Sequence, residues 1–222
     1  MTQMGPNMMR WSAVAAALLV LAPQAGTAAA AGTAQTAPWQ GEASRHAKAH
    51  GPALPPLGFI RVCGRVPLAC RKEARTTTRI QMTDERWRLA YRVNSLINAQ
   101  VAPLSDKELY GESEYWAYPA DAGDCEDYAL LKQRYLERLG FARSALLLTV
   151  VLDEKQEGHA LLTIVTDQGD FILDNRTNQI RSWNSTGYTF LKRQSRQDPR
   201  KWVSLTPRHG LSARITAADG KP

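Results

Sequence analysis

Cysteine is scarce in this 222-residue chain, with three in all, and there are four histidines. So few thiols exclude a disulfide-dense scaffold. Past Ala22 no apolar run approaches the ~20 residues that cross a bilayer, so no later membrane span is expected. Lys and Arg outnumber Asp and Glu, 28 to 21, for a formal charge of +7. Yet no stripe of basic residues interleaved with aromatics occurs, and no nucleic-acid motif. The basic residues are dispersed, notably over 61–79 and 192–201. They read as a solvated surface with weak attraction for acidic partners, and no nucleic-acid partner is expected.

The chain opens with one positive charge before Trp11, an apolar run over 11–22, and small residues over 25–31. This is the pattern of a secretory signal over 1–31, with an uncleaved anchor as the alternative. A periplasmic address follows for the mature chain. Residues 32–56, rich in Ala, Gly and Pro, read as a flexible linker, and His46 and His50 in it as solvated. One domain is expected over 57–205, then a disordered tail over 206–222.

Thr83–Val101 has the apolar spacing of an amphipathic helix, with Thr83 able to cap it and Asp84 and Glu85 suited to its first turn. Asn94 and Asn98 share one face and either bind backbone nearby or face solvent. Leu104–Ala122 reads as a polar-aromatic loop. A second helix runs from Cys125 to Leu139 and stops at Gly140. Short apolar runs at 145–152, 160–166 and 171–173, separated by polar turns, predict antiparallel strands, with two more near 188–191 and 202–205. Apolar residues on both faces of 161–165 suggest a central sheet covered by helices. The fold class is α+β: a helix beginning at Cys125 packed on an antiparallel sheet.

Cys63 and Cys70, seven apart around Gly64 and Pro67, are spaced to close a small disulfide loop, or are two reduced buried thiols. If they pair, Cys125 is the odd cysteine. It lies in Gly123-Asp124-Cys125-Glu126-Asp127-Tyr128, in the first turn of its helix. Unpaired N–H groups and the helix dipole favour a thiolate there, while the three flanking acids oppose it. Cys125 is thus either an activated nucleophile or a small buried hydrophobe. His159 opens a strand and Asp174 ends the next, which supplies a base and its orienter, or else a structural histidine and a turn former. A tight turn at Gln168-Gly169 would set Asp174 opposite Thr163, roughly 13 Å along the strand from His159 at ~3.3 Å per residue. Bringing the two together needs a shifted register or a bulge.

Val93-Asn94-x-x-Ile97-Asn98, Trp116, Gly123 to Ala129, Gly158-His159-Ala160 and Leu173-Asp174-Asn175 together resemble the bacterial transglutaminase-like cysteine proteinases, a family that includes the LapG-type periplasmic proteases. The resemblance runs from about Phe59 to Trp202, and Tyr118–Ala122 is shorter than the family's usual approach to the cysteine. It implies a transglutaminase-like, papain-like fold and catalytic residues Cys125, His159 and Asp174. It also implies calcium held by Asp124 and Glu126, which would neutralise the crowded acids. The implied partners are a protein substrate, such as a surface adhesin, and an inner-membrane cyclic-dinucleotide receptor as regulator. The expected chemistry is acyl transfer through a thioester, with the Cys125 N–H and Trp116 as oxyanion donors. A protein transglutaminase and a calcium-responsive binding module without activity are the alternatives.

Overall fold

The computed structural model describes residues 45–73 and 79–207. The signal expected over 1–31, the linker up to residue 44 and the tail beyond residue 207 lie outside them. In chain order the elements are β1 (Pro52–Ala53), α1 (Leu57–Arg65), α2 (Asp84–Gln100), β2 (Ala102–Pro103), α3 (Asp106–Tyr110), β3 (Ala122–Gly123) and α4 (Cys125–Arg138). Then come β4 (Leu146–Leu152), β5 (Gly158–Val165), β6 (Asp170–Asp174), β7 (Thr177–Ser182), β8 (Thr189–Gln194) and β9 (Trp202–Ser204). Seven strands form one sheet in the order β1-β9-β8-β4-β5-β6-β7, paired antiparallel throughout, while β2 and β3 make a separate parallel pair.

The helices start where local chemistry allows. Thr83 caps α2 by accepting from the Arg86 N–H at 3.3 Å, with Asp84 and Glu85 in the first turn. α4 ends at Arg138 with Leu139 as its C-cap, and Gly140 takes a φ of +86° that other residues adopt at a cost. Ser105 and Glu108 form a reciprocal capping box on the short α3, which lies within the stretch read as a loop.

α2 and α4 bury their apolar stripes on one sheet face, in a core that includes Ile97, Leu130, Leu136, Leu148, Leu162 and Ile164. Among the described residues, no α-helix packs into the other face. It carries a smaller cluster of Val151, Leu161, Ile172 and Phe190, with Trp183, Tyr188 and Leu205 packed against it. β7 has one buried apolar residue, Ile180, as suits an edge strand. Asn94 and Asn98 settle on backbone: Asn94 Nδ2 donates to the Thr177 and Asn178 carbonyls at 3.0 and 3.1 Å, and Asn98 Nδ2 to the Asp174 carbonyl at 2.9 Å.

Residues 45–56 are tied down rather than solvated. Ala47 is buried, its N–H donates to Asp170 Oδ2 and its carbonyl accepts from Arg193, while His46 Nδ1 lies 2.8 Å from Asp170 Oδ1. β1 then adds itself to β9. A run poor in apolar residues thus docks by polar bonds to a buried carboxylate, which composition does not reveal. Cys63 and Cys70 are joined, Cα to Cα 5.5 Å. No described helix is long and apolar enough to cross a membrane.

Gly58 lets α1 approach the buried Trp116, whose ring meets Phe59 and Trp202 edge to face. A Cβ at Gly58 would lie 2.6 Å from Trp116 Nε1 and 2.9 Å from the Glu114 carbonyl. Gly58→Ala is therefore expected to destabilise the fold by about 1–3 kcal/mol through overpacking. Urea unfolding followed by tryptophan fluorescence measures it.

Candidate active site

Cys125 is the first residue of α4, with Asp124 at the cap position but making no side-chain cap bond. The Cys125 thiol donates to Glu126 Oε2 at 3.1 Å, and its Sγ accepts from the Ala160 N–H at 3.3 Å. Ala160 follows His159 on β5, so the sulfur sits against the strand that carries the histidine. Cys125 and His159 line one cleft with Pro103, Leu104, Ser105, Glu108, Gly123, Asp124, Gly158, Asn175 and Arg176. β2 and β3 supply one wall, and the starts of β5 and of the β6–β7 turn the other.

His159 is buried, and its Nε2 lies 2.9 Å from Asp174 Oδ1. With Nε2 on the carboxylate, Nδ1 is the ring nitrogen left for chemistry. The pairing of β5 with β6 explains the meeting. Leu162 faces Leu173 and Val165 faces Asp170, with the Thr166 N–H bonded to the Gly169 carbonyl. The turn is therefore Asp167-Gln168, one residue earlier than a turn at Gln168-Gly169. Continued one step, this register sets Asp174 opposite Leu161, two residues from His159 instead of four. A diagonal cross-strand pair at that spacing lies within reach of an imidazole and a carboxylate. No bulge interrupts the β5–β6 pairing.

Asp174 is further held by Tyr188 Oη, donating to Oδ2 at 2.7 Å, and by the Arg176 N–H, donating to Oδ1 at 3.0 Å. Burial alone would raise its pKa. The His159, Arg176 and Tyr188 bonds overcome burial and hold the carboxyl well below the usual range. It is an ionised acceptor throughout the neutral range, suited to fix one imidazole tautomer and to stabilise the imidazolium.

The cysteine's surroundings run the other way. Burial pushes the Cys125 thiol well up, and the Glu126 and Asp124 carboxylates add to it, against the Ala160 N–H. The helix terminus that favours a thiolate is outweighed by burial, with its own acids adding to it. Asp124 belongs to a second cluster as well: one carboxylate oxygen each from Asp106, Asp124 and Asp127 lie within 4.8 Å of one another, as do single ligand atoms of Asp124, Cys125 and Glu126. Asp106 and Asp127 are buried, yet Asp106 Oδ1, Asp124 Oδ1 and Asp127 Oδ2 make no hydrogen bond. Their other contacts fix them in place, with Asp106 Oδ2 accepting from the Tyr115 N–H and Asp127 Oδ1 from the Ala117 N–H at 2.7 Å. Desolvation, with its neighbours' charge, lifts Asp127 to about 8 and Asp124 to about 6. Buried carboxylate oxygens aimed at one another without donors suit a hard cation.

Asp127 stood in the quoted cysteine motif without a role. Asp106 carried no sequence signal at all, since only the fold brings the first turn of α3 to α4. Trp116 is not free to serve an oxyanion: it is buried, and its Nε1 donates to Glu114 Oε2 at 3.2 Å.

A half-buried cysteine on a helix N-terminus, sharing a cleft with a buried histidine that is paired to an aspartate, is the apparatus of a cysteine peptidase. The sequence profile described as bacterial transglutaminase-like cysteine proteinase matches residues 49–210, and the chain belongs to that family. No curated protein matches it. Solved structures similar to it include Legionella pneumophila LapG, 20% identical with a TM-score of 0.47, over 57% of this chain and 74% of that one. The calcium-bound form of that protein gives 20% and 0.47 over 59% and 77%. Its EGTA-treated form gives 20% and 0.45 over 59% and 76%.

The raised Asp127 carboxyl has a signed consequence. Unfolded, it ionises above roughly 3.9, and folded only near 8, so folding is increasingly penalised as pH rises from about 4 to 8. In buffer free of multivalent cations, Asp127→Asn is expected to raise Tm by a few degrees at pH 8 and by little at pH 4. Thermal melts of both proteins across that range check it.

Proposed function

We propose that this cysteine peptidase is an exported endopeptidase that works through Cys125, His159 and Asp174 and is activated by calcium. The observation that carries the reading is that His159, whose Nε2 pairs with Asp174, lines the cleft that also holds Cys125, the start of α4. His159 Nδ1 takes the Cys125 proton, and the thiolate attacks the carbonyl carbon of the scissile peptide. The developing oxyanion is met by the Cys125 N–H at the helix terminus. His159 then passes the proton to the leaving amine, which departs and leaves a thioester on Cys125. His159 next draws a proton from water, whose oxygen attacks the thioester and frees the acid and the thiol.

Asp106, Asp124 and Asp127 are the residues that would hold calcium, with Glu126 adjoining. Asp124 stays in the set expected from the sequence, while Glu126 is turned to the sulfur and Asp106 and Asp127 join. Bound there, the ion supplies positive charge that offsets the carboxylates around the thiol. Asp106 and Asp127 are held rigid by the Tyr115 and Ala117 N–H groups, which preforms the site.

The substrate is a protein, and an envelope protein such as a surface adhesin is the class we infer. The periplasmic address rests on the signal-like pattern over 1–31, and a cyclic-dinucleotide receptor in the inner membrane as regulator rests on the family resemblance. An amine in place of water at the thioester would make the same site a transglutaminase.

Labelling of the mature protein with iodoacetamide tests the site. Cys125 is expected to label at least tenfold faster with calcium than with chelator, and His159→Ala is expected to abolish the acceleration. Equal, slow labelling in both conditions would favour a binding module without activity. Cys125→Ala is expected to abolish proteolysis of a denatured casein substrate. Incorporation of a labelled amine into that substrate by the wild type would select the transglutaminase.

A further inference from the structure

Gly158 opens β5 just before His159 and lines the cleft, yet the chemistry above gives it no role. Neither conformation nor packing asks for a glycine there. In the turn that leads into β5 the positive φ, +64°, falls on Gln156 and not on Gly158. A Cβ at Gly158 would meet no atom within 4 Å. Glycine weakens a strand, and a strand keeps one where a ligand or another backbone must come close.

The edge beside Gly158 is open. β6 pairs with β5 no further than Leu162, which faces Leu173, so from Leu161 back to Gly158 the β6 side of β5 has no neighbouring strand. Alternate residues of a strand turn their polar groups to opposite sides. Two bonds set the phase here. The Glu157 carbonyl accepts from the Asp153 N–H at 2.9 Å, on the β4 side, and the Ala160 N–H points the other way, to Cys125 Sγ at 3.3 Å. Gly158 is in phase with Ala160. Its N–H and carbonyl therefore face the open side, where neither has a partner among the described residues. The sulfur and Gly158 share one edge, with Gly158 roughly 6.6 Å past Ala160 at ~3.3 Å per residue. Alternation would also place a side chain at 158 on the α4 face, with that of Leu162, and glycine keeps that side clear.

We propose that this free edge of β5 is the docking site for the substrate's backbone. An extended segment lies beside Gly158 as a short added strand, exchanges N–H to carbonyl bonds with it, and so brings its scissile carbonyl to Cys125 Sγ. This rests on the peptidase reading above. The acyl part of the substrate stays on the sulfur through both steps, so it is the part assigned to this edge. Recognition through main-chain bonds selects an extended chain with its amide N–H free. A helical segment, whose amides are already bonded, does not fit, nor does a proline at the paired residue.

The test uses acetyl-Val-Gly chloromethyl ketone with calcium present. The Cys125 thiolate displaces chloride from its methylene carbon to form a thioether. Its rate is divided by that of iodoacetamide, which has no peptide to dock, so that changes in the thiol itself cancel. In the wild type, N-methylation of either the Val or the Gly residue is expected to lower this ratio about tenfold, by removing one hydrogen bond and crowding the edge. In Gly158→Val the unmethylated probe is expected to show that loss already, and N-methylation to cost little more. Gly158→Ala gives the same comparison should the valine variant not fold, and the wild-type comparison needs no variant. A ratio that neither N-methyl group changes by more than twofold overturns the proposal, as does a folded Gly158 variant with the wild-type ratio. Iodoacetamide alone is the control for the underlying reading. If its rate depends on neither calcium nor His159, the peptidase assignment falls and the proposal with it. If it depends on both while N-methylation is neutral, the proposal falls alone.

Discussion

The pairing of β5 with β6 is the constraint on which the site depends. β5 lies inside the sheet, between β4 and β6, and its first residues meet the start of α4. Strand register moves in whole residues, and a slip of one would turn every side chain to the opposite face. Asp174 therefore either reaches His159 or misses it by a full repeat. The apolar residues of both strands enforce the choice: Leu162, Ile164, Phe171 and Leu173 belong to the helix-side core, Leu161 and Ile172 to the other face. The same burial that stabilises the sheet aligns His159 with Asp174. Tyr188 and Asn98 then hold the acid from side chain and backbone.

Around the sulfur the fold concentrates charge of one sign. A helix terminus welcomes one or two carboxylates, but Asp106, Asp124, Glu126 and Asp127 exceed what the dipole can stabilise, and burial worsens their repulsion. Partial protonation relieves it, at the expense of a thiol that stays protonated as well. The calcium proposed above would bring the positive charge that this cluster of acids lacks. Such tension is tolerated because the Tyr115 and Ala117 N–H groups and the capping box of α3 hold the acids in place.

Much of this was legible in the sequence, and the failures have physical causes. α2, α4, β4 and β5 announce themselves because each buries an apolar stripe or run. β7 does not, being a polar edge strand, and β1 and the β2–β3 pair are too short for periodicity to register. Residues 45–56 look like a linker because their anchorage is polar and rests on Asp170 and Arg193, far away in the chain. The hairpin was misplaced by one residue through Gly169. Glycine suggests a turn centre, but here it flanks the turn, with a φ of +149° and the Arg45 carbonyl 2.9 Å from where a Cβ would sit. Its identity answers to the docked N-terminal segment. Cys125, His159 and Asp174 could be named from motifs, whereas Asp106 could not.

The small loop between Cys63 and Cys70 has a consequence for how the chain matures. Three thiols allow three pairings, and two of them would consume Cys125. Those two close loops of roughly fifty residues or more, against a separation of seven for the observed bond. By loop-closure entropy alone the short pairing is favoured by about 2 kcal/mol in an unfolded chain. Oxidation of the nascent protein is thus directed to the pair that can be spared. Once that bond has formed no second disulfide can arise within the same molecule, and Cys125 is left as the free cysteine.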